Sequence, residues 1–526
     1  MVQFLESLPM INLKPNFSQK EKRIVILYSI FLILLVVLLP FYGVLTTPKG
    51  KFFTWAPFRQ SLDYNAYQTW VTQFSQGKFL AEILYTTERH PALFFHPLFF
   101  LAGQINLFLK IPLEIIFIIF SLLANFFLLI TLYYFVSHFL KSFSSRLISF
   151  IFISLGSGLG WLSGPTSADL FLFEITFLRI LCWPFIMSLG LAFLLWSLLF
   201  FIKSFKEKGQ KKAFLAGFSA FLLVLIHPYD IVIFYTLAFS YLIFFTKFWS
   251  HLIKILIVFL FPLPVIVYYF LVKYSHFVWY QHSLAPMFSP PLLSYFLGLF
   301  NFILLALFSL KRVYKKELQI LFLWSIVYFL LLYLPVTFQW KLSLGIFIPL
   351  GILAGSSLDN FYRFLNKKFP QISPGLLFLL IVLVFSSLTN ISVFEANIRT
   401  FRKGEYPYYL DREIKDGFEW LKENTLPEEV IFSSFEIGSF IPRYSSRKVF
   451  IGHWAQTIFA KEKNELVKNF FISKINEEEV KSIFKTHQIK YIFYSDFEKK
   501  IGQIDLSKFG QEVFKNNKVS IFKINL

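Results

Sequence analysis

A single cysteine, Cys182, stands in 526 residues. That excludes a disulfide within the chain and any cysteine-built metal site. Charge is scarce as well: only 16% of the residues are Asp, Glu, Lys or Arg. Acids are the scarcer sign, 31 against 51 basic residues, and they are unevenly spread. Nineteen follow residue 391, leaving twelve before it: Glu6, Glu21, Asp63, Glu82, Glu88, Glu114, Asp169, Glu174, Glu207, Asp230, Glu317 and Asp359. No GxGxxG follows an expected strand, so no nucleotide site is expected.

What is abundant is apolar surface. Hydrophobic residues make up 56% of the chain, with 73 phenylalanines, and the mean hydropathy is +0.61. No water-soluble domain needs this much, so the composition indicates an α-helical polytopic membrane protein. The net charge of +20 then reads as basic loops facing anionic lipid, and no nucleic-acid partner is expected. The first apolar run, 24–44, is long for a signal-peptide core and lacks a small-x-small cleavage site, so it reads as a retained anchor.

Eleven runs have the length and character of membrane spans, near 24–44, 112–137, 147–163, 180–202, 213–227, 229–247, 252–273, 292–310, 318–335, 342–358 and 374–391. A twelfth, HPALFFHPLFFLAGQINLFLK at 90–110, carries two prolines, two histidines, Gln104 and Asn106. Charge decides its status. If it does not cross, the loops on the N-terminal side of the bilayer hold twenty Lys and Arg against nine on the other, over residues 1–391. If it crosses, every later basic loop flips outward, against the positive-inside rule. It is therefore expected to be an interfacial or half-inserted helix on the outer face. Eleven crossings from a cytoplasmic N-terminus end outside. The expected division is a transmembrane domain at 1–391, with an outer loop at 45–111, and an extracytoplasmic α/β domain at 392–526. A plasma (cytoplasmic) membrane suits this composition.

The sidedness gathers the remaining acids. Asp63, Glu82, Glu88, Asp169, Glu174 and Asp230 all fall on the outer side. Carboxylates kept in so apolar a body are costly, and their clustering at one face points to a site. Around Asp63 runs a polar, aromatic, helix-like stretch at 66–79 with Tyr67 and Trp70, preceded by Tyr64. The second outer segment, GSGLGWLSGPTSADLFLFEITFLRILCWPF at 156–185, carries Asp169 and Glu174. They are five apart, so they do not share a helical face, and one is expected to act while the other holds structure. LIHPYD adds His227 and Asp230, and LPVTFQWKLSLG adds Lys341. Lys341, Arg179, Arg89 and His90 are the candidate cations for a phosphate.

The joint pattern is a long first outer loop with an early acid, a Pro/His interfacial segment, a second acidic loop, many spans and an external domain. It resembles the GT-C superfamily of integral-membrane glycosyltransferases, the relatives of protein mannosyltransferase, aminoarabinose transferase and oligosaccharyltransferase. The resemblance implies that Asp63 matches their catalytic first-loop acid, that Asp169 or Glu174 corresponds to the second acidic motif, and that ERHPALFFHPLFFLAGQI is similar to their juxtamembrane helix. In the tail, GFEWLKENTLPEEVIFSSFEIGSFIPRYSSRKVFIGHW resembles the outer domain of oligosaccharyltransferases. Where those enzymes carry Trp-Trp-Asp-Tyr-Gly, this chain has Ser434-Phe435-Glu436-Ile437-Gly438. Both tryptophans and the aspartate are absent, so recognition of a peptide sequon is not implied.

The expected function is transfer of a sugar from a polyprenyl-phosphate-linked donor to a glycan, lipid or protein acceptor on the extracytoplasmic face, with inversion. Asp63 is the expected base, with Asp169 or Glu174 assisting. Lys341, Arg179, His90 and Arg89 are expected to take the donor phosphate, and Glu88, His227, Asp230, Glu436 and His453 to line the acceptor. Alternatively Asp63 and Asp169 hold a divalent cation, Mg or Mn. The competing class is a lipid or solute transporter or flippase without transferase activity, against which stand the absence of an internal repeat and the position of the acids near span ends. A third class, a polymerase or ligase acting on a lipid carrier, remains open at this stage.

Overall fold

Long apolar runs in lipid must satisfy their backbone internally, and they fold as helices. A computed structural model of the chain describes residues 15–56, 61–310, 316–369 and 374–525. Glu6, Lys14, Arg59, Lys311, Arg312 and Lys315, all counted above, lie outside the described residues. Among the described residues six helices are long and apolar enough to cross a membrane: Gln19–Leu45, Leu113–Phe139, Phe143–Thr166, Ile186–Lys206, Gln339–Lys368 and Pro374–Lys403. A seventh span is possible where Phe248–Leu260 and Leu263–Ser275 meet at a 43° bend. Other runs expected to cross form shorter helices, such as Asp230–Phe245 and Leu318–Leu331. The 292–310 run breaks into Leu292–Gly298 and Phe300–Leu307. At the break, a Cβ on Gly298 would lie 2.8 Å from the Asp169 amide nitrogen.

The chain groups into two compact units. The first comprises 1–39, 118–268 and 286–396, and the second 40–117, 269–285 and 397–526. The division expected at 391/392 falls inside the continuous helix Pro374–Lys403.

In the first unit the helices pack through small residues, as lipid-embedded helices do. Phe143–Leu155 runs against Phe347–Lys368. A Cβ on Gly355 would sit 1.9 Å from Ser149 Oγ and 2.5 Å from its Cα, and one on Gly351 would sit 2.3 Å from Ile153. Gly355→Leu is therefore expected to force the pair apart and cost about 3 kcal/mol or more, read as a lowered thermal midpoint in detergent. Buried charge pins one end of the bundle. Arg146 reaches Glu21 at 2.7 Å, and Glu21 also accepts from the Tyr133 hydroxyl.

In the second unit a strand β1 (Lys51–Phe53) pairs antiparallel with β2 (Tyr409–Asp411). The tail then builds a five-stranded sheet from β3 (Val430–Phe432), β4 (Lys448–Val449), β5 (Ile489–Ser495), β6 (Gly510–Lys515) and β7 (Val519–Ile524), in the order β4-β3-β5-β7-β6. β3 is parallel to β4 and β5, whereas β7 is antiparallel to β5 and β6. Strands alternate their side chains between faces, and both faces are covered, which is why β3 reads as an unbroken apolar run. Ile431, Tyr491, Phe493 and Ile521 pack with Ile414, Phe418 and Leu421 of helix Arg412–Asn424. Val430, Phe432 and Ile492 pack with Val467, Phe470, Phe471, Val480 and Phe484 from the helices Ala460–Phe471 and Glu477–Thr486. The first core also takes in Ala66, Ile83, Tyr85, Val278 and Trp279. The segments 40–117 and 269–285 are thus part of the same hydrophobic body as the tail.

One ion pair fastens the 82–90 loop within this unit. The Lys463 ammonium, itself 3% exposed, lies 2.8 Å from Glu88, which also accepts from the Thr86 hydroxyl. Burial raises the Glu88 carboxyl, but the Lys463 charge and these hydrogen bonds outweigh it and hold the group below its ordinary value. A carboxylate depressed on folding stabilises above its unfolded pKa and loses that contribution as pH falls through the lower folded value. Thermal stability is therefore expected to fall on acidification below about pH 4.5, and Glu88→Gln to flatten that part of the curve. Lys463→Met, which strands the carboxylate, should cost about 2–3 kcal/mol at neutral pH.

Candidate functional site

The helix Ser61–Ser75 carries Asp63 in its first turn, where the helix dipole favours a carboxylate. Its apolar residues Ala66, Trp70 and Phe74 recur every four positions and give it a face to bury. Trp70 stacks on Phe94 with ring centres 4.0 Å apart. A neighbouring helix, Pro97–Leu109, is capped by His96, which accepts from the Phe99 amide. Its Gly103 lets it approach so closely that a Cβ there would fall 2.5 Å from Phe74 Cβ. With 13 residues it is about 20 Å long, short of a hydrocarbon core of about 30 Å.

At the other edge of the Asp63 helix sits Arg443. Its guanidinium is 4% exposed and donates to Thr54 O at 2.8 Å, to Asn65 Oδ1 at 3.0 Å and to Glu114 Oε1 at 2.8 Å. It also lies over the rings of Tyr444 and Tyr64, 4.7 and 5.2 Å from their centres. Asn65 is two residues from Asp63, so Arg443 fixes the helix that presents the acid.

The group facing Asp63 comes from far along the chain. His453 Nε2 lies 3.3 Å from Asp63 Oδ1; the His453 side chain is 4% exposed and that of Asp63 30%. His453 follows β4 in a tight turn held by one hydroxyl: Thr457 Oγ1 accepts from the Gly452 and His453 amides and donates to Tyr85 O. Two further amides, of Ala455 and Gln456, donate to His453 Nδ1, each at 3.1 Å. His282 Nδ1 donates to Ala455 O at 2.9 Å, and burial holds His282 below its ordinary pKa. Trp454, 37% exposed, leaves a ring face open beside His453. A carboxylate that is partly open, partly buried and approached by a fixed imidazole has the make-up of a general base with its orienting partner.

The other expected residues of this unit are engaged elsewhere. Glu88 holds Lys463 as described. His90 uses both nitrogens within its own loop, Nδ1 donating to Glu88 O and Nε2 accepting from the Ile83 amide. Exposed Arg89 reaches Gln488. Glu436 is half-buried, and its charge bears on the Tyr406 hydroxyl.

In the first unit, Asp169 is fully buried. It accepts from the Gly158 amide at 2.8 Å and from the Ser167 hydroxyl. Burial raises its pKa against these hydrogen bonds. It closes the glycine loop: a Cβ on Gly158 would lie 2.2 Å from Leu297 O, and one on Gly160 2.6 Å from Asp169 Oδ1. Arg179 donates to the backbone oxygens of Asp169 and Leu172 and lies 4.2 Å over Phe173. Burial brings its guanidinium down to about 10. Glu174 meets Lys341 at 2.8 Å, and His227 Nδ1 lies 2.9 Å from Asp230. Of the six expected residues of this unit, Glu174 pairs with Lys341, His227 faces Asp230, Asp169 clasps its own glycine loop and Arg179 holds backbone oxygens of that loop.

Asp63 and Asp169, the expected metal pair, belong to different units. Both Asp169 oxygens are taken by protein donors. Among the described residues no group of three or more His, Cys, Asp or Glu stands where it could hold a metal ion.

Sequence reasoning placed His453 among acceptor-lining residues and missed that it faces Asp63; Arg443, Lys463 and His282 were not singled out at all. The only early signal was a histidine beside a tryptophan just after a strand.

No protein-family pattern matches the chain, and no curated protein does. Solved structures do. The oligosaccharyltransferase of Archaeoglobus fulgidus, tethered with an acceptor peptide containing the NVT sequon, matches at TM-score 0.55 and 13% identity over 89% of this chain and 69% of its own. ArnT from Cupriavidus metallidurans, bound to undecaprenyl phosphate, matches at 0.52 and 10% over 94% and 97%. The mycobacterial arabinofuranosyltransferase AftD matches at 0.55 and 10% over 98% of this chain and 42% of its own. At these identities the likeness is one of fold: the chain has a GT-C-like membrane fold.

Proposed function

We propose that this GT-C-like membrane protein is a glycosyltransferase that moves a sugar from a polyprenyl-phosphate-linked donor to an acceptor on the extracytoplasmic face of the plasma membrane. The observation that carries the reading is the setting of Asp63: a first-turn carboxylate, part-exposed, oriented by Arg443 through its helix and faced by His453. The fold likeness supports the class, because ArnT holds a polyprenyl phosphate and the archaeal oligosaccharyltransferase an acceptor peptide. In this reading the N-terminus is cytoplasmic, eleven segments cross, and the tail is extracytoplasmic.

Asp63 takes the proton of the acceptor as its nucleophilic atom attacks the anomeric carbon. The lipid phosphate leaves from the opposite face, which inverts the configuration in one displacement and needs no covalent nucleophile. Trp454, with its open ring face, and Glu436 are proposed on the acceptor. Asp169 and Arg179 hold the 156–185 loop in shape.

The test is purified protein in liposomes, supplied with polyprenyl-phosphate sugars and assayed for transfer. Transfer that depends on Asp63 supports the reading. Undiminished transfer by Asp63→Asn removes the base, and movement of lipid or solute across the bilayer without transfer replaces the enzyme by a transporter.

A further inference from the structure

We infer that the second unit carries a cleft for an oligosaccharide, and that the acceptor is a glycan whose distal sugars lie in it; the acceptor role rests on the function proposed above. The cleft has a volume of about 850 Å³, in the upper part of the range for small-molecule sites, about 300–1,000 Å³. Its sides come from four stretches of chain. Lys51 and Asp411 are partners across the β1–β2 ladder, and Lys51 Nζ donates to Gly404 O at 2.9 Å. Glu405 and Tyr406 come next in the chain and line the same cleft. The short helix Asp496–Ile501 forms another wall with Asp496, Phe497, Lys499 and Lys500. From the β6–β7 turn, Lys518 Nζ reaches Asp496 Oδ2 at 2.7 Å.

The lining selects the ligand. Four ammonium groups and three carboxylates face the cleft, so its charges nearly cancel. A polyanion would meet the carboxylates, and an apolar peptide would have to desolvate charged walls. A sugar chain suits such a lining, because each hydroxyl both donates and accepts. Phe497 and Tyr406, with ring centres 5.5 Å apart, add apolar surface for the C–H faces of sugar rings. Lys500 Nζ lies 5.5 Å over the Phe497 ring and sets a donor beside that surface.

Two connections join the cleft to the acid. The Tyr406 hydroxyl reaches Ser61 and Ser439, and the Glu436 charge bears on it. Ser61 begins the helix that carries Asp63. Glu498, on the short wall helix, accepts from the Ser434 amide at 2.8 Å, and Ser434 caps the turn bearing Glu436. A glycan whose end sugar meets Asp63 therefore extends past Glu436 and Tyr406 into the cleft. Contacts made there act far from the reacting atom, and such remote binding serves to orient the reacting end.

The test uses the full chain in liposomes, with polyprenyl-phosphate sugars as donors. The acceptors are tagged monosaccharides and oligosaccharides of mannose, glucose, arabinose and N-acetylglucosamine. Binding of the same oligosaccharides to the Asp63→Asn protein is followed by calorimetric titration. In at least one series the oligosaccharide should bind and should have a kcat/KM about 10–100-fold above that of its monosaccharide. Glu405→Ala combined with Lys500→Ala, both at exposed positions, should bring that ratio close to unity and abolish binding, with the thermal midpoint unchanged. A length preference or binding that survives the paired substitution overturns the inference, as does the absence of binding in every series. Transfer to a peptide or lipid acceptor and to no glycan also overturns it, and leaves the function proposed above intact. Binding that depends on Glu405 and Lys500, with no transfer to any acceptor, supports the cleft and defeats that function instead.

Discussion

Asp63→Asn is expected to lower sugar transfer in proteoliposomes by about two to four orders of magnitude, the usual share of a positioned base, and to leave stability within about 1 kcal/mol of wild type. The two halves of this expectation come from the same geometry. Asparagine keeps the size of the side chain and an oxygen beside His453 Nε2. The Asp63 side chain is 30% exposed, so its amide form is not stranded in a dry core. What disappears is the basic oxygen. Initial rates of transfer from a radiolabelled polyprenyl-phosphate sugar, beside a melting curve of the same preparation, check both halves. Asp63→Glu tests placement: the carboxylate is kept, but it is pushed about one methylene past the imidazole, and a misplacement on that scale costs about 100-fold.

Arg443→Met gives the largest expected loss of stability, about 3–5 kcal/mol. The guanidinium is nearly inaccessible and is shared by Thr54 O, Asn65 and Glu114, with two tyrosine rings beside it. Methionine fills much of the volume but leaves the Glu114 carboxylate and the Asn65 amide oxygen without their donor. Arg443→Lys is expected to rescue little, because an ammonium is a point donor and cannot serve three acceptors across a plane. Adding Glu114→Gln to Arg443→Met should restore part of the loss, since the stranded charge is then gone. Thermal melts of the four proteins in one detergent measure the coupling. Because Asn65 rides on the Asp63 helix, Arg443→Lys should also lower transfer at temperatures where it is fully folded.

Much of this architecture could be read from local pattern. The apolar runs announced helices, because lipid offers the backbone no other partner. The tail was expected to mix helices and strands, and it does; Asp63 stood out because acids are so rare before residue 391. The pairings could not be read. Lys463 sits in AKEKNELVKNFF, a stretch whose other lysines face solvent, and nothing in its neighbours marks it as the one that turns inward to Glu88. Glu88 was expected on the acceptor and His90 on the donor phosphate, whereas Glu88 meets Lys463 and His90 bonds back to its own loop. His453 and Asp63 are brought together by β4 and the turn after it, and no periodicity links positions that far apart. Breaks within spans were not legible either: apolar length measures what a helix is able to do in lipid, whereas a break such as the one at Gly298 is set by the close approach of another backbone.

The second unit is assembled from three stretches of chain, and its sheet is completed only by β7, at Ile524. A ribosome making this protein releases the Asp63 helix early and the turn bearing His453 late, so the acid waits through most of synthesis without its partner. Chains cut short before residue 453 carry Asp63 without His453, and they also lack β5, β6 and β7, so the sheet on which both cores of this unit close does not form.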